Sequence, residues 1–107
     1  MAVDNGGTQA KTTTSVDANG TTVVSIAGEV DISNVKEVER ECLGAAVASP
    51  ERVVFDLAGI TFMDSSGLAM LLRISQVVDH LSIRDASPAV RRIVEATGLT
   101  EQLHLES

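Results

Sequence analysis

The 107 residues predict an α/β chain, with a small mixed but mostly parallel sheet, an N-terminal antiparallel hairpin and three main helices. Asn19-Gly20 lies between two runs rich in Thr and Val, which is a strong short-range hairpin signal. Beyond it, apolar runs of strand length alternate with stripes at steps of three and four, the pattern of parallel strands joined by right-handed crossovers. At the centre, an apolar run beginning at Val53-Val54-Phe55 meets the polar cluster Asp64-Ser65-Ser66-Gly67 and resumes at Leu68, Leu71 and Leu72. That is a strand feeding a helix through a serine-bearing turn.

Residues 1–11 contain Asn5-Gly6-Gly7-Thr8-Gln9 and show no periodicity. Too little apolar surface is present to offset their ordering entropy, so a flexible tail is expected there, with a single domain over 12–107. Thr13, Ser15 and Val16 lead to the turn, and Thr22-Val23-Val24-Ser25-Ile26 follows as a strand. Gly28 to Asp31 is expected to leave the sheet. Ser33 is expected to cap a helix carrying Val35, Val38, Cys42 and Ala45 or Ala46 on one stripe and ending near Ser49-Pro50. A strand at 52–57 and a helix at 66–79 come next, then a short strand at Leu81 to Arg84. The third helix, 88–97, has Ser87 as cap, Pro88 at its first position, Val90, Ile93 and Val94 inward, and Gly98 as its stop. A last strand is expected near Gln102 to Leu105.

Composition narrows the function. The net charge of -7, from 15 acidic and 8 basic residues, argues against direct nucleic-acid binding, which requires a clustered basic face. Phe55 and Phe62 are the only aromatic residues, and both fall in the central apolar run, so both are expected in the core. Cys42 alone makes neither an internal disulfide nor a multi-cysteine metal site. No run reaches the ~20 apolar residues of a membrane span, and the N-terminus lacks a signal pattern, so no membrane insertion and a cytoplasmic location are expected. His80 and His104 have no companions at metal-site spacing, and no metal or cofactor is expected. Gly-x-Ser-x-Gly is absent and no base can be nominated for Ser65, so the chain is not expected to be an enzyme.

Hydroxyls beside a helix N-terminus suit either an N-cap or a phosphate, because the first amides lack intrahelical partners and the macrodipole is positive there. The segment Asp56 to Leu72, DLAGITFMDSSGLAMLL, resembles the central motif of the STAS family, especially the bacterial anti-sigma factor antagonists. Ile26-Ala27-Gly28-Glu29-Val30-Asp31, Ser87-Pro88-Ala89-Val90-Arg91-Arg92 and Thr97-Gly98-Leu99 fit the same family in the same order. The resemblance implies a STAS fold and Ser65 as phosphoacceptor, with Ser66 as the less favoured hydroxyl. It also implies partner contacts at Glu29, Asp31, Asp64, Ser65, Ser66 and Gly67. Gly67 is expected to allow close approach to a neighbouring backbone.

The same resemblance implies a partner-switching cycle. The unphosphorylated antagonist binds an anti-sigma factor that is itself a serine kinase, the sigma factor is released, phosphorylation ends the association, and a phosphatase resets it. An alternative within the family is a non-enzymatic subunit of a stress-signalling or transporter-associated assembly. The chain departs from familiar antagonists in three ways: it is about one helical turn shorter between Gly67 and Ser87, Arg73 is the one basic residue left along the second helix, and Ser107 comes before a final helix. These departures leave room for a different partner or for a homodimer covering the missing surface.

Overall fold

The computed structural model describes residues 10–48 and 51–104. Four strands and three helices follow in the order β1 (Ala10–Val16), β2 (Thr22–Val30), α1 (Val35–Ala48), β3 (Val53–Met63), α2 (Ser65–Ser75), β4 (Leu81–Arg84) and α3 (Pro88–Thr97). The sheet runs β1-β2-β3-β4, with β1 antiparallel to β2 and the other pairs parallel. This is the predicted mixed sheet. β1 starts at Ala10, inside the span predicted as tail; the rest of that span, 1–9, lies outside the described residues, as do Ser49-Pro50 and Leu105.

The hairpin closes through 17–21, where Gly20 is left-handed and Asp17 Oδ1 accepts from the Asn19 and Thr21 amides. On the three parallel strands, alternate residues Val24 and Ile26, Phe55 and Leu57, and Leu81 and Ile83 point inward. They form one core with Val35, Val38, Cys42 and Ala46 of α1, Leu68, Leu71 and Ile74 of α2, and Val90 and Val94 of α3. Each Val, Leu, Ile or Phe among them contributes on the order of 1.5–3 kcal/mol by leaving water. Cys42 is wholly buried, and burial, reinforced by the Glu41 and Glu39 charges, pushes its thiol up to about 12.

Several sequence expectations are corrected. β2 continues to Val30, so Gly28 and Glu29 stay in the sheet. β3 runs to Met63 instead of stopping near Leu57. It carries two more residues than β2 over the paired span, absorbed by register shifts opposite Ser25/Ala27 and Gly28/Glu29. At the first bulge Asp56 Oδ1 accepts from the Ala58 amide, and Gly59 faces Ala27 so closely that a Cβ would lie 2.8 Å from the alanine Cβ.

The second helix ends at Ser75, four residues early. The chain then turns so that Val78 enters the core while Val77 is left 54% exposed. The predicted final strand is a set of turns over 100–104: Leu103 is fully buried, His104 is left-handed, and one bond from the Ile83 amide to the His104 carbonyl is what reaches the sheet edge. α3 matches its predicted bounds and its caps, with the Val90 amide donating to Ser87 Oγ and Gly98 left-handed.

Candidate functional site

Parallel pairing of β2 and β3 sets Val30 beside Met63, and an aspartate follows each. The Asp64 amide donates to the Val30 carbonyl, so the β2–α1 and β3–α2 turns emerge side by side at the C-terminal ends of the strands. The structure thus brings Asp31 next to the serine turn.

Asp64 is the N-cap of α2. Its Oδ1 accepts from the Ser66 amide at 2.9 Å, the Gly67 amide at 3.4 Å and the Ser66 hydroxyl. Burial pushes the Asp64 carboxyl up, but bonds from the Ser66 hydroxyl and the Ser66, Gly67 and Ile32 amides outweigh it and hold the group below the ordinary aspartate range. Two of the helix-terminal amides are therefore already occupied by a carboxylate. The two serines consequently differ: Ser66 is half-buried and spends its hydroxyl on Asp64, whereas Ser65 is exposed and its hydroxyl has no protein partner among the described residues.

Asp31 organises its own turn in a similar way. Its Oδ1 accepts from the Ser33 amide at 2.9 Å and the Ser33 hydroxyl at 2.6 Å. Ser33 is thus a donor to Asp31 and not the predicted cap of α1. Asn34 precedes the helix, takes the Asp31 amide on its Oδ1 and donates from Nδ2 to the Glu29 carbonyl. Glu29 itself is exposed and pairs with Phe62 across the sheet.

Gly67 is buried, and its close neighbours are side chains rather than the expected backbone: a Cβ there would lie 2.8 Å from Met63 Cγ and 3.2 Å from Val30 Cγ1. Two residues at this end escaped the sequence analysis. Ile32, between Asp31 and Ser33, is 77% exposed, and Phe62, expected in the core, is 48% exposed. Arg73 is bound to Glu39 of α1, its Nε 3.0 Å from Glu39 Oε2, and this bond holds the Glu39 carboxyl below its ordinary range. That guanidinium ties two helices together. Among the described residues, no helix is long and apolar enough to cross a membrane, and no three acidic, His or Cys side chains are grouped to hold a metal.

A sheet of this order with a capped serine turn at its parallel ends defines a STAS domain, and the STAS domain pattern matches residues 9–107: the chain belongs to that family. Its relatives are narrower in kind. It is 32% identical over 100 residues to the anti-sigma-F factor antagonist RsfB of Mycobacterium tuberculosis, spanning 90% of this chain and 81% of the relative. It is 29% identical over 86 residues to an anti-sigma-B factor antagonist of Staphylococcus epidermidis, spanning 77% and 80%. Among solved structures, an anti-sigma factor antagonist from Mycobacterium paratuberculosis superposes with a TM-score of 0.78 at 30% identity, over 91% of this chain and 85% of that one. Unphosphorylated SpoIIAA, at 21% identity and a TM-score of 0.68 over 91% and 89%, shares the fold.

Proposed function

We propose that the chain is an anti-sigma factor antagonist controlled by phosphorylation of Ser65. Unphosphorylated, it binds an anti-sigma factor that is a serine kinase, in the cytoplasm, and frees a sigma factor; phosphate on Ser65 ends the association and a phosphatase restores it. The observation that carries this is the division of labour in the turn. Ser66 and the first amides are committed to Asp64, while the Ser65 hydroxyl stands exposed and has no partner among the described residues.

The same geometry favours a charge switch over a refolding switch. A phosphate adds about -1.5 to -2 charges. It would arrive beside Asp64, whose carboxylate already holds the Ser66 and Gly67 amides, and near Asp31 of the adjoining turn. Burying it in an interface incurs like-charge and desolvation penalties, and ~3 kcal/mol weakens binding more than a hundredfold. Glu29, Asp31, Asp64 and Ser66 complete the contact surface, with Ile32 as an exposed apolar anchor and the buried Gly67 shaping the turn from beneath.

Affinity capture with wild-type, Ser65→Ala and Ser65→Glu baits tests this. The first two should recover a kinase-like ATPase that Ser65→Glu loses, and fragmentation mass spectrometry of the kinase-treated chain should place phosphate on Ser65 and not Ser66. Equal recovery of other proteins by all three baits would make the chain a subunit of an assembly indifferent to the serine.

A further inference from the structure

α3 presents a second stripe beside the one it buries. Val90 and Val94 are fully buried, whereas Ala89, Arg92, Ile93 and Ala96 repeat at i, i+3, i+4 and i+7 along an adjacent face. Together with Phe62 and Met63 from the end of β3 they line a groove of about 370 Å³. Apart from Thr61, which also lines it, its chemistry is apolar with one charge. Phe62 stands 48% exposed, Ala89 and Ala96 are small enough to leave room on either side of Ile93, and Arg92 is the groove's single charged residue. Arg40, Arg73, Arg84 and Arg91 each face a carboxylate, from Glu37, Glu39, Asp56 and Glu95; Arg92 forms no ion pair among the described residues.

We infer that this groove seats an apolar segment of the anti-sigma factor bearing a carboxylate that meets Arg92. Charge selects the class of occupant. A chain of net charge -7 whose groove carries one cation, unpaired among the described residues, is repelled by an anionic membrane or a nucleic acid, whereas a single acid beside an apolar side chain complements it. Continuity selects the source, because Met63 of the groove leads directly into Asp64 and Ser65 and also packs over Gly67. A segment held here lies beside the hydroxyl to be phosphorylated. The groove would give the kinase a grip that does not depend on the serine itself.

This inference rests on the function proposed above. The test uses the anti-sigma factor recovered by the wild-type bait, purified, in calorimetric titrations with wild-type chain, Phe62→Ser, Arg92→Glu and Arg92→Lys. Phe62→Ser and Arg92→Glu should each weaken binding tenfold or more, and Arg92→Lys should stay within about threefold of wild type. Thermal unfolding midpoints should stay at the wild-type value for the two Arg92 variants, whose side chain is exposed, so that a loss of binding by Arg92→Glu is not a loss of fold; Phe62→Ser, which gives up the buried half of its ring, should lower the midpoint modestly. Equal affinity for all four chains overturns the groove alone. Failure of the wild-type chain to retain any anti-sigma factor overturns the proposed function and the groove with it. A homodimer in sedimentation that Phe62→Ser dissociates assigns the groove to a second copy and overturns the inference.

Discussion

The two turns at the C-terminal ends of β2 and β3 share one device and differ in what they display. In Asp31-Ile32-Ser33 and in Asp64-Ser65-Ser66, the aspartate gathers the amide and hydroxyl of the serine two residues on. The middle residue is thereby turned out to solvent. In one turn it is Ile32, a side chain that can only be covered; in the other it is Ser65, a side chain that can be modified. The fourth residue separates them again: Asn34 bridges the Asp31 amide and the Glu29 carbonyl, while Gly67 leaves the space that Met63 and Val30 fill. A common backbone solution supports an apolar contact in one place and a charge switch in the other.

The largest break in this comparison should come from the fourth position. Gly67→Val places a branched side chain against Met63 and Val30 and should cost about 1–3 kcal/mol in chemical denaturation. The capping position should come next. Asp64→Ala removes the N-cap of α2 and orphans the Ser66 hydroxyl, for a loss of about 1–2 kcal/mol. An Asp31→Ala loss exceeding that of Asp64→Ala would show that the first turn is the more important support.

The finest test is acid titration. The Asp64 carboxyl is held below its ordinary value, so the unfolded chain takes up the proton first. The stabilisation is complete well above the unfolded pKa of about 3.9, shrinks as pH falls past that value, and is gone once the native carboxyl is itself protonated. Asp64→Asn should flatten this part of the stability profile; an unchanged profile would mean that the bonds seen at Asp64 do not favour its charged form.

What the sequence revealed divides along physical lines. Capping is a local affair where the signals agree, so Ser87, Pro88 and Gly98 could be placed from neighbouring residues alone. The fate of Phe62 was not local. With Ile60 inward, simple alternation points Phe62 inward too, but the second bulge of β3 falls between them and sends Met63 into the core instead. Nothing in the run Gly59-Ile60-Thr61-Phe62 marks that extra residue, because the bulge answers the register of β2. The last strand was misjudged for a related reason: the spacing of Leu103 and Leu105 suggests a strand, yet Leu103 is buried from within a set of turns and His104 has a left-handed backbone. Asn34 was also overlooked, since its partners, Asp31 and Glu29, become neighbours only when the turn is formed.

The buried thiol of α1 makes the domain its own reporter. With Cys42 pushed up to about 12, the thiolate fraction near pH 7 is on the order of 10⁻⁵, and no reagent reaches the sulfur without an opening of the helix–sheet core. Its labelling rate therefore counts excursions of the native state, and comparing that rate before and after phosphate is added to Ser65 would separate a change of surface charge from a loosening of the molecule.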